Sequence, residues 1–353
     1  MCIGEQLYMD QPWVEAIFYS LYAAIFVVGV GSNLAVLYVI LGNKHMRTTV
    51  NIYLLNLAVS DIIICVFASS SFLDRWQFLG SWMCNLTIFG ITVSVRMSTF
   101  TLAAIAVNRF LAVFYPFDSR INSQTRTAVI ILCINLVAII TSLPKALLYE
   151  GDGTLVCALT QSNVAIMGYM TFVKMTQFAI PFTIITICYT CVMIKLRQRA
   201  PGRSLSSEQI QEGAAKNARM NKMLIAMVVI FGLCWFPIQL LSTMFYVVDD
   251  NVLTCWKLHD LTFYLAHVIA MSSACCNPFL YGLMNPAFKS EFTKICSCFL
   301  KTRAGDNSES VDSYRTTRET EEESQVLRIS RYDPTYKYFQ FIYFSIIESF
   351  SCR

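Results

Sequence analysis

Apolar residues in this chain gather into long runs separated by short polar stretches. The runs cover about 14 to 40, 50 to 73, 83 to 113, 127 to 148, 166 to 194, 222 to 248 and 258 to 284. Hydrocarbon about 30 Å thick needs about 20 apolar residues per helical crossing, and every run is near or above that length. In lipid the backbone must satisfy its own hydrogen bonds, so these runs predict helices; barrel strands would be about half as long and would alternate. After the seventh run, Asn285 to Phe292 reads NPAFKSEF, with Phe288 and Phe292 four apart and Lys289 and Lys294 beside them. That spacing predicts a short amphipathic eighth helix on the inner leaflet. The fold class predicted is an all-α membrane protein, a seven-transmembrane helix bundle. Residues 1–13 form a short outer N-terminus, 14–298 the membrane domain and 299–353 a mostly disordered tail, with Ser308, Ser310, Ser313, Thr316, Thr317 and Thr320 set among acids.

Composition and charge narrow the class. Of 353 residues, 56% are hydrophobic and 14% charged, against about 25% charged in soluble proteins. The net charge of +4 comes from Lys and Arg spread through short loops, so there is no basic patch for nucleic acid. Lys44, Arg47, Arg120, Arg126, Arg197, Arg199, Arg203, Lys216, Arg219 and Lys222 lie after the first, third and fifth runs, which marks that side as cytoplasmic. The opposite ends carry Glu5, Asp10, Glu15, Asp74, Glu150, Asp152, Asp249, Asp250 and Asp260. The N-terminus is therefore read as outside. No charged and apolar leader precedes the first run, which is read as its own signal anchor. Without an internal repeat, a transporter of two inverted halves is disfavoured.

Ionisable residues at membrane depth are costly and mark function. Asp61 sits in NLAVSD, residues 56 to 61, with Asn33, Ser98, Ser273 and Asn277 as plausible polar neighbours. Two readings stand: a satisfied structural network, or buried oxygens that bind sodium or switch. Arg109 ends the third run in NRF, where a lone Arg can also merely snorkel. Arg96 lies about three and a half turns before it, at mid-membrane, with Gln177 or carbonyls of the fifth helix as its expected partners. Cys65, Cys133, Cys188, Cys191, Cys234, Cys275 and Cys276 fall inside apolar runs and are read as small hydrophobes. Cys2 and Cys255 lie outside the membrane and admit either a bridge or two free thiols. Asn85 begins the triplet Asn85-Leu86-Thr87 at the head of a helix and is read as unglycosylated. Cys296 and Cys298 come after the eighth helix, where a palmitoyl chain would reach the bilayer; reduced thiols are the bland reading.

SN at 32 and 33, NLAVSD at 56 to 61, Cys84, NRF at 108 to 110, Pro181 with Tyr189, CWFP at 234 to 237 and NPFLY at 277 to 281 occur in order along the runs. In order and spacing they resemble the rhodopsin-like, G-protein-coupled receptors over residues 14 to 298. NIYLLNLAVSD and FGLCWFPIQL look closest to receptors for peptides of the somatostatin, galanin and allatostatin kind. The resemblance implies a plasma-membrane receptor and no enzyme, with no cofactor beyond sodium at Asp61 as a modulator. It implies a Cys84–Cys157 disulfide, Trp235 as the agonist sensor, Pro237 as the pivot of the sixth helix, and Asn108, Arg109, Tyr189, Asn277, Pro278 and Tyr281 as the switch that receives a heterotrimeric G protein. Receptor kinases and arrestin would read the Ser/Thr-rich tail. Ile91, Gln239 and His267 fall near the family's pocket depth, although a lone His in a bundle is as often a packed core residue.

The chain also departs from that pattern. Asn108 stands where the family has an acid before its Arg, Phe110 replaces the usual Tyr, Asn217 offers no anion at the base of the sixth helix, and Asn135 or Ile134 stands near the place of the helix-four Trp. No Lys occurs between Lys257 and Lys289 to hold retinal, and residues 85 to 108 contain no acid to pair an amine. What remains is a vestibule rimmed by acids such as Asp249 and Asp250, which suits a cationic neuropeptide. A lipid or other small molecule is the rival ligand within the family, and a channel or transporter the rival outside it. Residues 331 to 353 are aromatic for a tail and are read as either membrane-binding or a gene-model artefact.

Overall fold

The computed structural model describes residues 11–72, 81–118, 121, 123–151, 157–159, 164–199, 208–247 and 259–304. The chain divides into two compact units, Met1–Asn285 and Pro286–Arg353. In the first, α1 (Pro12–Gly42), α2 (Thr49–Phe72), α3 (Ser81–Phe114) and α4 (Gln124–Ala146) match the first four apolar runs within three residues at each end. The fifth run is one crossing in three pieces: α5 runs as Val164–Lys174, passes through a π-helical turn, Met175–Ala179, and continues as Ile180–Arg199. Then come α6 (Glu208–Val247) and α7 (His259–Met284). All seven crossings are long and apolar enough to span a bilayer, as their lengths in the sequence require.

Local chemistry sets several helix ends. Pro12 opens α1, where its missing N–H has no helical partner to lose. Arg47 donates to the Leu41 carbonyl at the other end of α1, satisfying one of the last free acceptors. Gln124 Nε2 donates to the Arg47 carbonyl at 2.7 Å, tying the loop between α1 and α2 to the head of α4. Pro237 and Pro278 interrupt the hydrogen-bond ladders of α6 and α7.

Around the bundle α1 packs on α2 and α7, α2 on α3 and α7, α6 on α7, and α3 takes the centre between α2, α4 and the inner part of α5. Val36, Leu54, Leu57, Ala58 and Ala106 are fully buried between them. Ile140, Phe172 and Leu233 are each more than 60% exposed, which is the outward apolar surface a lipid-facing helix presents. A hairpin that the apolar runs do not announce joins α4 to α5: β1 (Tyr149–Gly151) pairs antiparallel with β2 (Cys157–Leu159), with Gly151 opposite Cys157. Strands of three residues are too short for an alternating signal. β1 lies against α3.

In the second unit, α8 (Pro286–Ala304) spans 19 residues and so exceeds the short helix expected. Phe288 and Phe292 place their rings 5.8 Å apart, and Lys294 pairs with Glu291 at 2.8 Å.

Close helix approach depends on Gly90. A Cβ there would fall about 2.3 Å from the ring of Phe67 on α2, well inside contact distance. Gly90→Ala is expected to force that ring off its packing and to lower stability by about 1 to 3 kcal/mol, read as a lower Tm in lipid nanodiscs. An unchanged Tm would show that Phe67 relocates without cost.

Candidate functional site

Three levels of polar contact run down the bundle axis. At mid-depth the Asp61 carboxylate, 3% exposed, accepts a 2.8 Å hydrogen bond from Asn277 Nδ2. This joins α2 to α7 one residue before Pro278. The other residues grouped with Asp61 in the sequence are held by separate bonds. Asn33 Nδ2 donates to the Gly29 and Ala274 carbonyls at 2.8 and 3.0 Å, while its Oδ1 is buried without a partner. Ser98 shares a 2.8 Å bond with Ser60 of α2, and Ser94 donates to the Ser60 carbonyl. Ser273 donates to the Ala270 carbonyl and accepts from Trp235 Nε1 at 3.2 Å. Burial makes each unmet polar atom costly, so this layer favours one helix arrangement over its neighbours.

Trp235 sits at the centre of the second feature. Its indole lies 5.8 Å from Phe231 and 5.9 Å from Phe178, in the π-helical turn of α5, and Phe182 stacks on Phe231 at 6.3 Å. Trp235 is therefore bonded to α7 and packed on α5, two residues before Pro237. The extra residue of a π turn rotates the helix beyond it, and here the turn places Phe178 against α6.

Towards the C-terminal end of α3, Arg109 Nη2 contacts Met220 Sδ of α6 at 2.8 Å, and its Nε is buried without a partner. Tyr189 stands beside Arg109. Asn108 precedes Arg109 on α3 and is half-buried. Tyr281 is fully buried. Met220 gives no signal in the sequence, because a Met at the end of an apolar run looks like core.

Other polar residues also differ from expectation. Arg96, 2% exposed, donates through Nη1 to Thr141 Oγ1 of α4 at 2.7 Å. The partners expected from α5 are corrected: Gln177 is buried within the π-helical turn. Asn135 donates to Asn56 Oδ1 at 3.0 Å, and Asn56 donates to Thr101 Oγ1 at 2.9 Å, so one chain of amides links α4, α2 and α3. An amide thus provides at Asn135 the bond to α2 that an apolar residue would forfeit. His267 shares a 2.5 Å hydrogen bond with Tyr22 of α1, and its ring stacks on Phe263 at 6.3 Å. Ile91 and Gln239 are half-buried in α3 and α6.

Cys65, Cys133, Cys188, Cys191, Cys234, Cys275 and Cys276 are all free thiols, as their apolar settings imply. Cys84 is disulfide-bonded. Asp249, Asp250, Cys2, Cys255 and residues 331–353 lie outside the described residues, as do the side chains of Cys157, Asn217, Cys296 and Cys298.

Residues 32–281 match the family described as 7 transmembrane receptor (rhodopsin family). The chain is 27% identical over 292 residues to the allatostatin-A receptor of Bombyx mori, covering 77% of each. To the RYamide receptor of Tribolium castaneum it is 30% identical over 299 residues, 78% of this chain and 79% of that one. The neuropeptide Y receptor type 6 of Mus musculus is 29% identical over 335 residues, 88% of this chain and 87% of that one.

Proposed function

Because the chain belongs to the rhodopsin family of seven-transmembrane receptors, and is a receptor and not an enzyme, we propose that it binds an extracellular neuropeptide and activates a heterotrimeric G protein. Its place is then the plasma membrane, with the N-terminus outside and the Lys- and Arg-rich loops in the cytoplasm. The observation that carries this reading is the double hold on α6. Trp235 is bonded to Ser273 and packed on Phe178 and Phe231, and Met220, fifteen residues away, touches Arg109. At 1.5 Å per residue these holds lie about 22 Å apart on one helix.

A ligand that binds better when the Trp235 cluster is rearranged shifts the equilibrium by that difference in affinity and no more. With Pro237 weakening the ladder beside Trp235, the inner part of α6 swings and Met220 leaves Arg109. Arg109, Tyr189 and Tyr281 then rearrange to receive the G protein. Ser273 passes the same change to α7, and Asn277, beside Pro278, passes it on to α2 through Asp61. Asp61 and the unpartnered Oδ1 of Asn33 are oxygen donors of the kind a hard cation prefers. With Ser98 and Ser273 they would hold sodium, which when bound supplies charge that favours the packing in which these oxygens converge. The peptide ligand is supported by the three neuropeptide-receptor relatives and by the acids Asp249 and Asp250, which follow α6 in the sequence. The Ser/Thr-rich tail supports receptor kinases and arrestin as partners, and Cys296 and Cys298 support lipidation.

The test is G-protein nucleotide exchange in cells expressing the chain and exposed to a panel of neuropeptides. At least one peptide is expected to raise exchange above that of untransfected cells. Reversing Asp249 and Asp250 to Lys is expected to slow association of a basic agonist and flatten its dependence on salt. An agonist that is a lipid, or exchange that no peptide raises, would overturn the peptide reading.

A further inference from the structure

Arg96 and Lys145 lie near one another where α3 meets α4, and Lys174 of α5 is near enough for its charge to act on Lys145. Arg96 is almost wholly buried and holds one hydrogen bond, to Thr141, with Nε left unpartnered. Lys145 stands one turn beyond Thr141 in the last turn of α4 and is close enough to feel the charges of both Arg96 and Lys174. Lys174 donates to Thr243 of α6 at 2.9 Å. Tyr169 stands beside Arg96, its hydroxyl also buried. α3, α4 and α5 contain no Asp or Glu anywhere along their lengths. Asp61, the buried acid of α2, is bonded to Asn277 on α7.

Like charges gathered in a low-dielectric setting destabilise the fold that holds them unless something compensates. A thioether or an apolar residue would fill the same space more cheaply. Arg96 keeps its guanidinium there with donors to spare, and a guanidinium recognises planar oxyanions through paired N–H groups. Lys145 lies between Arg96 and the outer face, so an anion entering from outside meets it first. We propose that Arg96, with Lys145 beside it, binds a carboxylate of the extracellular ligand at the junction of α3, α4 and α5. This rests on the receptor reading above and refines it: the ligand presents basic groups to the rim and an acidic group, a C-terminal or side-chain carboxylate, to the interior. Once neutralised, Arg96 no longer repels Lys145, and α4 and α5 are drawn towards α3 beside the π-helical turn that carries Phe178. Ligand binding is thereby coupled to the aromatic cluster on Trp235.

The probe is a small apolar carboxylate, sodium 4-phenylbutyrate, compared with its neutral amide and with sodium chloride at matched ionic strength. Thermal unfolding of the full chain in nanodiscs is the readout. A saturating carboxylate is expected to raise Tm by about 2 to 4 °C, while the amide and chloride do not. Arg96→Gln is expected to abolish the rise, Arg96→Lys to keep part of it, and Lys145→Gln to shift the midpoint to several-fold higher concentration. If Arg96→Gln does not fold, the contrast between acid and amide in the parent and the Lys145→Gln titration decide the matter. An equal rise with the amide, no rise at all, or a rise undiminished in Arg96→Gln overturns the proposal; an equal rise with chloride overturns it in favour of an inorganic anion. Neuropeptide-evoked exchange on the same preparation separates the two claims. Exchange without the acid–amide contrast sinks this inference alone, and the contrast without exchange sinks the receptor reading alone.

Discussion

Cys84→Ser is expected to leave almost no ligand-responsive protein at the cell surface. Cys84 lies in the first turn of α3 and is disulfide-bonded. β1 of the outer hairpin rests against α3, and Gly151 of β1 sits opposite Cys157 of β2. This backbone arrangement supports Cys157 as the partner, and with the N-terminus outside, as proposed, the pair lies where disulfides persist. Closing a loop of about 70 residues removes on the order of 4 kcal/mol of freedom from the unfolded chain. Most single domains have only about 5 to 15 kcal/mol to lose. The same bridge would hold the hairpin over the outer ends of α3, α4 and α5, so its loss should also loosen the entrance to the Arg96 cluster. Surface labelling of intact cells and neuropeptide-evoked exchange are the measurements. Cys157→Ser should match Cys84→Ser, and the double variant should be no worse than either, because both substitutions break one bond. A Cys84→Ser chain that traffics and signals like the parent would refute the pairing.

How much of the molecule is legible in its sequence depends on the range of the signal. Each membrane crossing is declared by its own 20 or so residues, so α1 to α7 are found where the apolar runs lie. The Asp61–Asn277 bond is also legible, since a carboxylate at membrane depth must find a polar partner and few are available. What does not show is anything set by the rotation of one helix against another. The sequence points Arg96 towards α5, yet it bonds Thr141 of α4. A helix that is apolar nearly all round gives no stripe from which its orientation can be read. The π-helical turn at Met175–Ala179 rests on a local change of hydrogen bonding that leaves the hydrophobic pattern unchanged. His267 admits two readings because its partner, Tyr22, comes 245 positions earlier. The nearness of Lys145 to Arg96 is equally hidden from local pattern, and under the proposal above it adds an acidic group to a ligand that the rim leads one to expect to be cationic.

Restoring an acid at position 108 is expected to quiet the receptor in the absence of ligand. In the structure the inner end of α6 is held to Arg109 through Met220 Sδ at 2.8 Å. A thioether is a weak acceptor and carries no charge. Asn108 offers an amide where the family has a carboxylate, and Asn217 at the base of α6 is neutral as well. The packing that covers Arg109 therefore lacks both of the ion pairs that would favour it. A partly buried pair biases such an equilibrium by about 1 kcal/mol, close to fivefold in population. The parent should accordingly show G-protein exchange without ligand, and Asn108→Asp should lower it several-fold at matched surface expression. Met220→Ala should act in the opposite direction, because it removes the contact between α3 and α6 without adding a charge. Arg109 is retained in every variant, so a change in basal exchange reports on the hold upon α6 and not on loss of the residue that meets the G protein. Basal exchange in the parent equal to that of untransfected cells, with no fall in Asn108→Asp, would mean that the packed aromatic cluster at Trp235 already holds the inactive arrangement unaided.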